Sequence, residues 1–220
     1  MEKMPFQPGR DTDAVVTTVP AAGAARSDWR TGLPTLSGSM VTLRELRLSD
    51  APALFESLTT NEVARFISPP PSSVEGFERF IAWTLRQRAA GQYVCFAVVP
   101  HGSDVAIGLF QIRSLEPAFG NAEWGFAIDS KFWGTGVFLD GAKLAIDFAF
   151  DVLGTHRLEA RASTENGRGN GALRKIGAIE EAVLRRSFLR SGEYHDQTLW
   201  TILGEDRGNA TVLSGPSVVH

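Results

Sequence analysis

The stretch KFWGTGVFLDGAKLAIDFAF, residues 131–150, sets the tightest limit on what this chain can fold into. An aromatic pair, Phe132-Trp133, tightens into Gly134-Thr135-Gly136, and the residues that follow are almost wholly apolar. Val137, Phe138, Ala142, Ala145, Phe148, Ala149 and Val152 fall on one helical stripe, so a core helix must begin directly after two glycines. Gly154 is placed to stop it near Leu153. The first N–H groups of a helix have no internal partner, and the helix dipole puts partial positive charge on them. Glycines at that point carry no Cβ, so a ligand can come within hydrogen-bond distance of the main chain. A strand, a glycine turn and a helix start together can seat a pyrophosphate. Spacing alone leaves two readings open, a tight strand-to-helix turn or a binding cradle. The unit lacks the Gly-Lys-Ser/Thr ending of a magnesium-bearing phosphate loop, and Gly141 comes too late for a dinucleotide fingerprint.

The flanking sequence says what sheet carries this unit. MVTLRELRLSD alternates as a first strand, Ser49 or Asp50 can cap the helix APALFESLTTNEVARFI, and VEGFERFIAWTLRQRAA reads as a second helix. YVCFAVVP, DVAIGLFQIRSL and NAEWGFAID are three strands joined by turn-rich connectors, the pattern of an antiparallel meander. After the glycine unit come the strand HRLEARAST, the short helix NGALRKIGA and a last pair of strands, EEAVLRRSFLRSG and YHDQTLWTIL. The order β-α-α-β-β-β-α-β-α-β-β places the chain in the α/β (α+β) class, with at least one parallel pair in a mixed, mostly antiparallel twisted sheet. About seven strands flanked by about four helices are expected. Residues 1–34 read as a flexible leader, 35–204 as the folded domain and 205–220 as a flexible tail.

Composition excludes several functions. With 43% hydrophobic and 21% charged residues the chain can bury a core, and a net charge of −3 gives no basis for a nucleic-acid surface. Cys95, the single cysteine, excludes an internal disulfide and a thiolate metal cluster, and its apolar run YVCFAVV marks it as an inert core residue. The four histidines are scattered, with no metal-ligand spacing, so no metal is expected. No segment approaches the roughly 18 apolar residues of a membrane span, and the N-terminus has no secretory pattern. The expected location is the cytoplasm.

NAEWGFAIDSKFWGTGVFLDGAKLAIDFAF resembles the central motif of the GNAT acetyltransferases, whose loop reads Gln/Arg-x-x-Gly-x-Gly/Ala; here it is Lys131 to Gly136. The Trp-Gly form is most similar to the Rim-type branch, whose members acetylate protein N-termini and have many small-molecule-modifying relatives. ASTENGRGNGALRKIGA is similar to that branch's second block, with Asn166 in the Asn place and Gly177 in the Gly place. GEYHDQTLWTIL is similar to its last strand, and the resemblance spans about Leu36 to Leu203. It implies the GNAT fold, acetyl-CoA as cosubstrate, and a primary amine as acceptor. It also implies that the N–H groups of Gly134, Thr135, Gly136 and Val137 hold the pyrophosphate and that Lys131 adds a cation. The strand Trp124–Ile128, through Phe126, Ala127 and Ile128, would splay from its neighbour and pair with the pantetheine arm, with Asn166 on the other side. Arg168 could meet the 3′-phosphate.

Moving an acetyl group from a thioester to an amine requires a deprotonated amine, donors for the oxyanion and a protonated leaving thiolate. An α-amine near pKa 7.8 costs roughly 1 kcal/mol to deprotonate at neutral pH, and a lysine near 10.4 about 4–5 kcal/mol. A modest base therefore suits N-terminal amines. Glu123, on the strand before the loop, is the base candidate, the other reading being a strand-end carboxylate that orients neighbouring backbone or binds an arginine. An N–H near Phe126 or Ala127 is the oxyanion donor. The family's tyrosine acid falls at Leu173, and Rim-type enzymes' serine falls at Gly169. Ser163 or Thr164 would then relay a proton, or the thiolate would leave unassisted. Tyr93 and Tyr194 are expected on strands elsewhere. His156 is expected to be structural, Trp133 to pack beneath the loop, and Asp196 to face either the cleft or a turn. The alternative is a catalytically weak acyl-CoA-binding sensor or structural module of the same fold. The acceptor is expected to be a peptide N-terminus or a small molecule, selected by SPPPSSVEGF and LRSGEYHD. Partner strands at the end of the chain leave room for a homodimer.

Overall fold

The computed structural model describes residues 28–208, residue 191 excepted. The leader expected over 1–34 lies outside the described residues up to residue 27, as does the tail from residue 209. Residues 28–34 do meet the domain: Trp29 stands edge-on to Phe119 at 5.6 Å, and Leu33 joins it against the core.

Among the described residues, eight strands form one sheet in the order β1-β2-β3-β4-β5-β6-β8-β7. They are β1 (Leu36–Ser37), β2 (Val41–Glu45), β3 (Tyr93–Pro100), β4 (Gly108–Ser114), β5 (Asn121–Ile128), β6 (Arg157–Ser163), β7 (Ile179–Arg190) and β8 (Glu193–Leu203). The helices are α1 (Ala51–Leu58), α2 (Asn61–Ala64), α3 (Val74–Ala89), α4 (Val137–Phe148) and α5 (Gly167–Lys175). The expected meander is β3-β4-β5, paired antiparallel in succession, and β5-β6 is the parallel pair, crossed by α4. Eight strands rather than about seven result from the two-residue edge strand β1.

Five α-helices among the described residues, rather than about four, result from a break in the first. Thr59 turns its hydroxyl back to the Phe55 carbonyl at 2.7 Å, and the Thr60 hydroxyl accepts from the Val63 N–H to start α2. Hydroxyls that bond the local main chain compete with helix continuation. Asp50, expected as a cap, makes no side-chain bond to the α1 N–H groups; it accepts from the Arg47 N–H as the closing carboxylate of a capping box on the preceding turn, and it pairs with Arg44.

Alternation in the strands builds a core on each face of the sheet. Val94, Phe96, Phe110, Trp124, Leu158 and Trp200 meet α4 on one face. Cys95, Ala97, Leu109 and Ala127 meet α1 and α3 on the other, and burial pushes the Cys95 thiol pKa up, as fits an inert residue. The α4 stripe is buried as expected through Ala149 apart from the half-buried Phe138, and a π-turn, Ala149–Leu153, then inserts one residue. Leu153 is therefore buried where Val152 was expected, and Val152 is 37% exposed. Gly154 ends the turn at φ 75°.

Candidate active site

β5 is held along its whole length by β4, from Ser114↔Ala122 to Gly108↔Ile128. Its pairing with β6 stops after three residues, Asn121↔Arg157, Ala122↔Leu158 and Glu123↔Glu159. Beyond Glu123 the strands part, because β6 stays with β8 up to Ser163↔Gln197. Main-chain groups of residues 124–128 that face β6 are left beside a wedge-shaped gap. On the α4 side an aromatic cluster braces this edge, with Phe126 and Phe138 at 4.5 Å and Phe110 stacked on Trp124 at 6.1 Å.

The glycine loop lies at the open end of the gap. Gly134 and Gly136 take φ 79° and 95°, a region that disfavours side chains. Gly136 is the N-cap of α4 without a side-chain cap, and the first internal bond runs from the Asp140 N–H to the Gly136 carbonyl at 3.1 Å. Among the described residues, no acceptor meets the N–H groups of Gly134, Gly136, Val137, Phe138 or Leu139. Thr135 differs: its N–H turns back to the Phe132 carbonyl at 3.4 Å. Trp133 packs beneath the loop and donates from its indole to the Ile128 carbonyl at 2.9 Å.

A cleft of about 880 Å³ joins the gap to the loop, with Ile128, Gly134, Gly136, Asn166, Arg168 and Lys175 among its walls. Lys131 is exposed and does not line it; the cations that do are Arg65, Arg168 and Lys175. Arg168 lies 4.5 Å over the Trp133 ring, a cation–π contact from α5 to the loop. Asn166 caps α5, its Oδ1 accepting from the Gly169 N–H at 2.8 Å. A Cβ at position 169 would stand 2.4 Å from Asn166 Nδ2, which accounts for glycine where the resemblance implied serine. Sequence reasoning missed Asn170, which donates to the Ser163 and Asn166 carbonyls and accepts from the Trp200 indole, tying β6, α5 and β8 together.

Glu123 stands where the strands part. Its Oε2 meets Arg113 and, at 3.6 Å, Arg161; among the described residues no donor meets Oε1. It lines a second cavity of about 420 Å³ with Tyr93, Gln111, Gly125, Phe126 and Leu173. Leu173 does face this space, so the tyrosine position holds an apolar group. Tyr93, expected elsewhere, is brought in by register, since Tyr93↔Arg113 and Arg113↔Glu123 are paired across β3, β4 and β5. That alignment was the signal that would have found it.

Ser163 is not brought to Glu123. It is buried, its hydroxyl accepts from the Glu165 N–H at 3.3 Å, and it lines a third cavity with Glu165, Arg190, Glu193 and His195. Phe66 borders all three spaces. Arg190 donates to the Ala64 carbonyl at 2.9 Å, so the β7-β8 hairpin arches over to α2. Asp196 secures the β7 irregularity, accepting from the Arg186 N–H at 2.7 Å, and His156 is exposed at the far end of β6.

Asp140, also missed, fixes the loop to the first hairpin. Its Oδ1 accepts from the Ser39 N–H and hydroxyl at 3.0 and 2.8 Å, and its Oδ2 from Met40 and Val41 at 2.8 and 3.0 Å. Burial pushes this carboxyl up, but those donors outweigh it and hold the pKa at about 2 against an ordinary 3.8. A lowered value means stability present above pH 4 and lost as the pH falls toward 2. Discounted for solvent screening, this is worth about 1 kcal/mol. In urea unfolding, the stability gap between wild type and Asp140→Asn should narrow by that amount between pH 4 and pH 2. Parallel curves would contradict the assignment.

The Acetyltransferase (GNAT) domain family matches residues 40–179. The chain belongs to the GNAT acetyltransferase family. This GNAT protein is 25% identical over 172 residues to the uncharacterized N-acetyltransferase p20 of Bacillus licheniformis, covering 78% of this chain and 97% of p20. It is 29% identical over 89 residues to the spermidine N(1)-acetyltransferase of Escherichia coli strain K12, 40% of this chain and 48% of that protein. The structure of Mycobacterium smegmatis RimJ in complex with CoA-disulfide shares the fold, with a TM-score of 0.73 at 21% identity, covering 81% and 90% of the two chains. The protein is an acetyl-CoA-dependent N-acetyltransferase with the GNAT fold. Among the described residues, no group of three or more His, Cys, Asp or Glu side chains could hold a metal, and no helix is long and apolar enough to cross a membrane.

Proposed function

We propose that this GNAT enzyme acetylates a primary amine of the acidity of a peptide or protein N-terminus, or a small molecule of that kind. The observation that carries this reading is the parting of β5 from β6 beyond Glu123, in line with the unpaired N–H groups at the start of α4. Acetyl-CoA supplies the acyl thioester. The residues fit it: Gly134, Gly136 and Val137 offer N–H groups to a diphosphate, with Thr135 contributing its loop rather than its own N–H. Phe126, Ala127 and Ile128 offer a strand edge to the pantetheine arm and an N–H to the oxyanion. Asn166 keeps Nδ2 for the opposite side of the arm, Arg168 and Lys175 meet phosphate charge in the cleft, and Lys131 steers from outside it.

In the net reaction the amine nitrogen bonds the acyl carbon, the carbon–sulfur bond breaks, the amine loses a proton and the thiolate gains one. Glu123 receives the amine proton through Oε1, directly or by one water, while Arg113 and Arg161 hold Oε2 and so fix the carboxylate. With Leu173 at the acid position and the Ser163 hydroxyl in the third cavity, the thiolate takes its proton from water.

The charges around the candidate acceptor spaces do not suit a polycation. Arg113 and Arg161 face Glu123 in one, and Arg65 and Arg190 face Glu165 and Glu193 in the other. We place the enzyme in the cytoplasm, with the exposed edge strand β7 as the surface through which a homodimer would form.

A thiol-release assay over peptides, amino acids and amines tests the activity. Glu123→Gln should lower kcat about 100-fold and leave CoA affinity unchanged by calorimetry. An unchanged kcat would remove Glu123 as the base. Tight CoA binding by wild type without turnover on any amine would instead favour a sensor.

A further inference from the structure

We infer that Gln111 is an acceptor-positioning residue that selects amines with a carbonyl on the neighbouring carbon, as in peptide N-termini and α-amino acids, over plain alkylamines and polyamines. The inference rests on the acetyltransferase reading of the site and names the acceptor class.

Gln111 lies on β4 between Cys95 of β3 and Gly125 of β5. The Tyr93 hydroxyl donates to Gln111 Oε1. Burial pushes the Tyr93 phenol above its ordinary range, so it remains an O–H donor at any working pH. A phenol that donates must face the amide oxygen, which turns Nε2 the other way. There it lies over Gly125, where a Cβ would stand 2.9 Å from Nε2. Glycine at 125 thus gives the amide room across the strand beside the gap. Among the described residues no acceptor meets Gln111 Nε2, and none of the donors meets Glu123 Oε1.

Both groups line the same cavity. Gln111 aligns with Gly125, two residues along β5 from Glu123, a separation of roughly 7 Å on one strand face. Side chains that start that far apart on one face and reach into one cavity can bracket an amine, its α-carbon and the adjoining carbonyl between the Glu123 carboxylate and the Gln111 amide. The amine faces Glu123 and the carbonyl oxygen accepts from Gln111. A plain amine leaves Nε2 unmatched, and a site built around a hydrogen bond rejects a substrate that lacks its partner. Arg113 and Arg161 add repulsion against a second ammonium.

The test compares kcat/KM for an alanyl tripeptide and for isopropylamine, each variant set against wild type on the same acceptor so that the amine's own acidity cancels. Gln111→Met keeps the volume and removes the donor. It should lower kcat/KM on the tripeptide about 10-fold, chiefly through KM, and leave isopropylamine within about twofold. Tyr93→Phe, which frees the amide to flip, should give a smaller loss on the tripeptide alone, and it decides the matter should Gln111→Met fail to fold. CoA affinity should be unchanged in both. Equal losses on the two acceptors, or no loss on either, overturn this inference while leaving the enzymatic reading intact. No turnover by wild type despite bound CoA overturns both.

Discussion

Gly136→Val is expected to weaken CoA binding about 100-fold. The residue sits at φ 95°, and a β-branched side chain resists that region more than any other. To relieve the strain the backbone must rotate, which turns the N–H groups of Gly136 and Val137 away from the cleft. Loss of two hydrogen bonds to a charged group, at about 1.5–3 kcal/mol each, exceeds the roughly 2.7 kcal/mol that 100-fold represents. Steric crowding alone would not do this, since a Cβ there meets only the flexible end of Met40, at 3.1 Å from its sulfur. Gly134→Ala is the milder control. Its Cβ would meet nothing within 4 Å, so strain at φ 79° is the whole effect, and a loss of about 5-fold is expected. Calorimetric titration with CoA measures both. An unchanged affinity in Gly136→Val would mean that these amides do not hold the ligand.

Asp50→Ala should destabilise the fold by about 3–5 kcal/mol, as expected when one partner of a buried ion pair is removed. Arg44 and Asp50 are 7% and 5% exposed, and two bonds of 2.8 Å join the guanidinium to the two carboxylate oxygens. The Asp50 hydrogen bond raises the Arg44 pKa further, although burial opposes it. Asp50 also accepts from the Arg47 N–H at 2.8 Å. Alanine at 50 would leave a permanently charged guanidinium buried between β2 and α1. The double change Arg44→Met with Asp50→Leu should cost about 1 kcal/mol, because neither charge is then stranded. Urea unfolding of the three proteins is the measurement. A cost below 1 kcal/mol for Asp50→Ala would show that Arg44 escapes to water or is taken over by Asp104, whose Oδ1 lies 4.0 Å from the Arg44 Nε.

Periodicity and glycine placement made much of this molecule legible. The meander, the parallel crossover and the α4 helix after its two glycines each combine a local period with turn residues that agree with it. What depended on partners distant in sequence was not legible. The local pattern shows Asp50 as a cap, which its bond to the Arg47 N–H matches, but not its ion pair with Arg44 on the adjoining strand. Thr59 and Thr60 split the first helix through hydroxyl bonds that an apolar pattern does not register. Val152 fits the helical period but not the core, because a π-turn shifts the stripe by one residue. At the site, the loop and Glu123 could be named from position along the chain, whereas Tyr93 and the Arg113 and Arg161 partners of Glu123 needed strand register. Ser163 is near Asn166 in sequence, but the bend between β6 and α5 turns its hydroxyl into another cavity.

The most direct measurement is an amide NMR titration of the full chain with CoA. Shifts should concentrate on the N–H groups of Gly134, Gly136, Val137 and Phe138 and on the β5 edge from Phe126 to Ile128, with Thr135 moving less. Saturable binding that leaves those resonances in place and moves others would contradict the account.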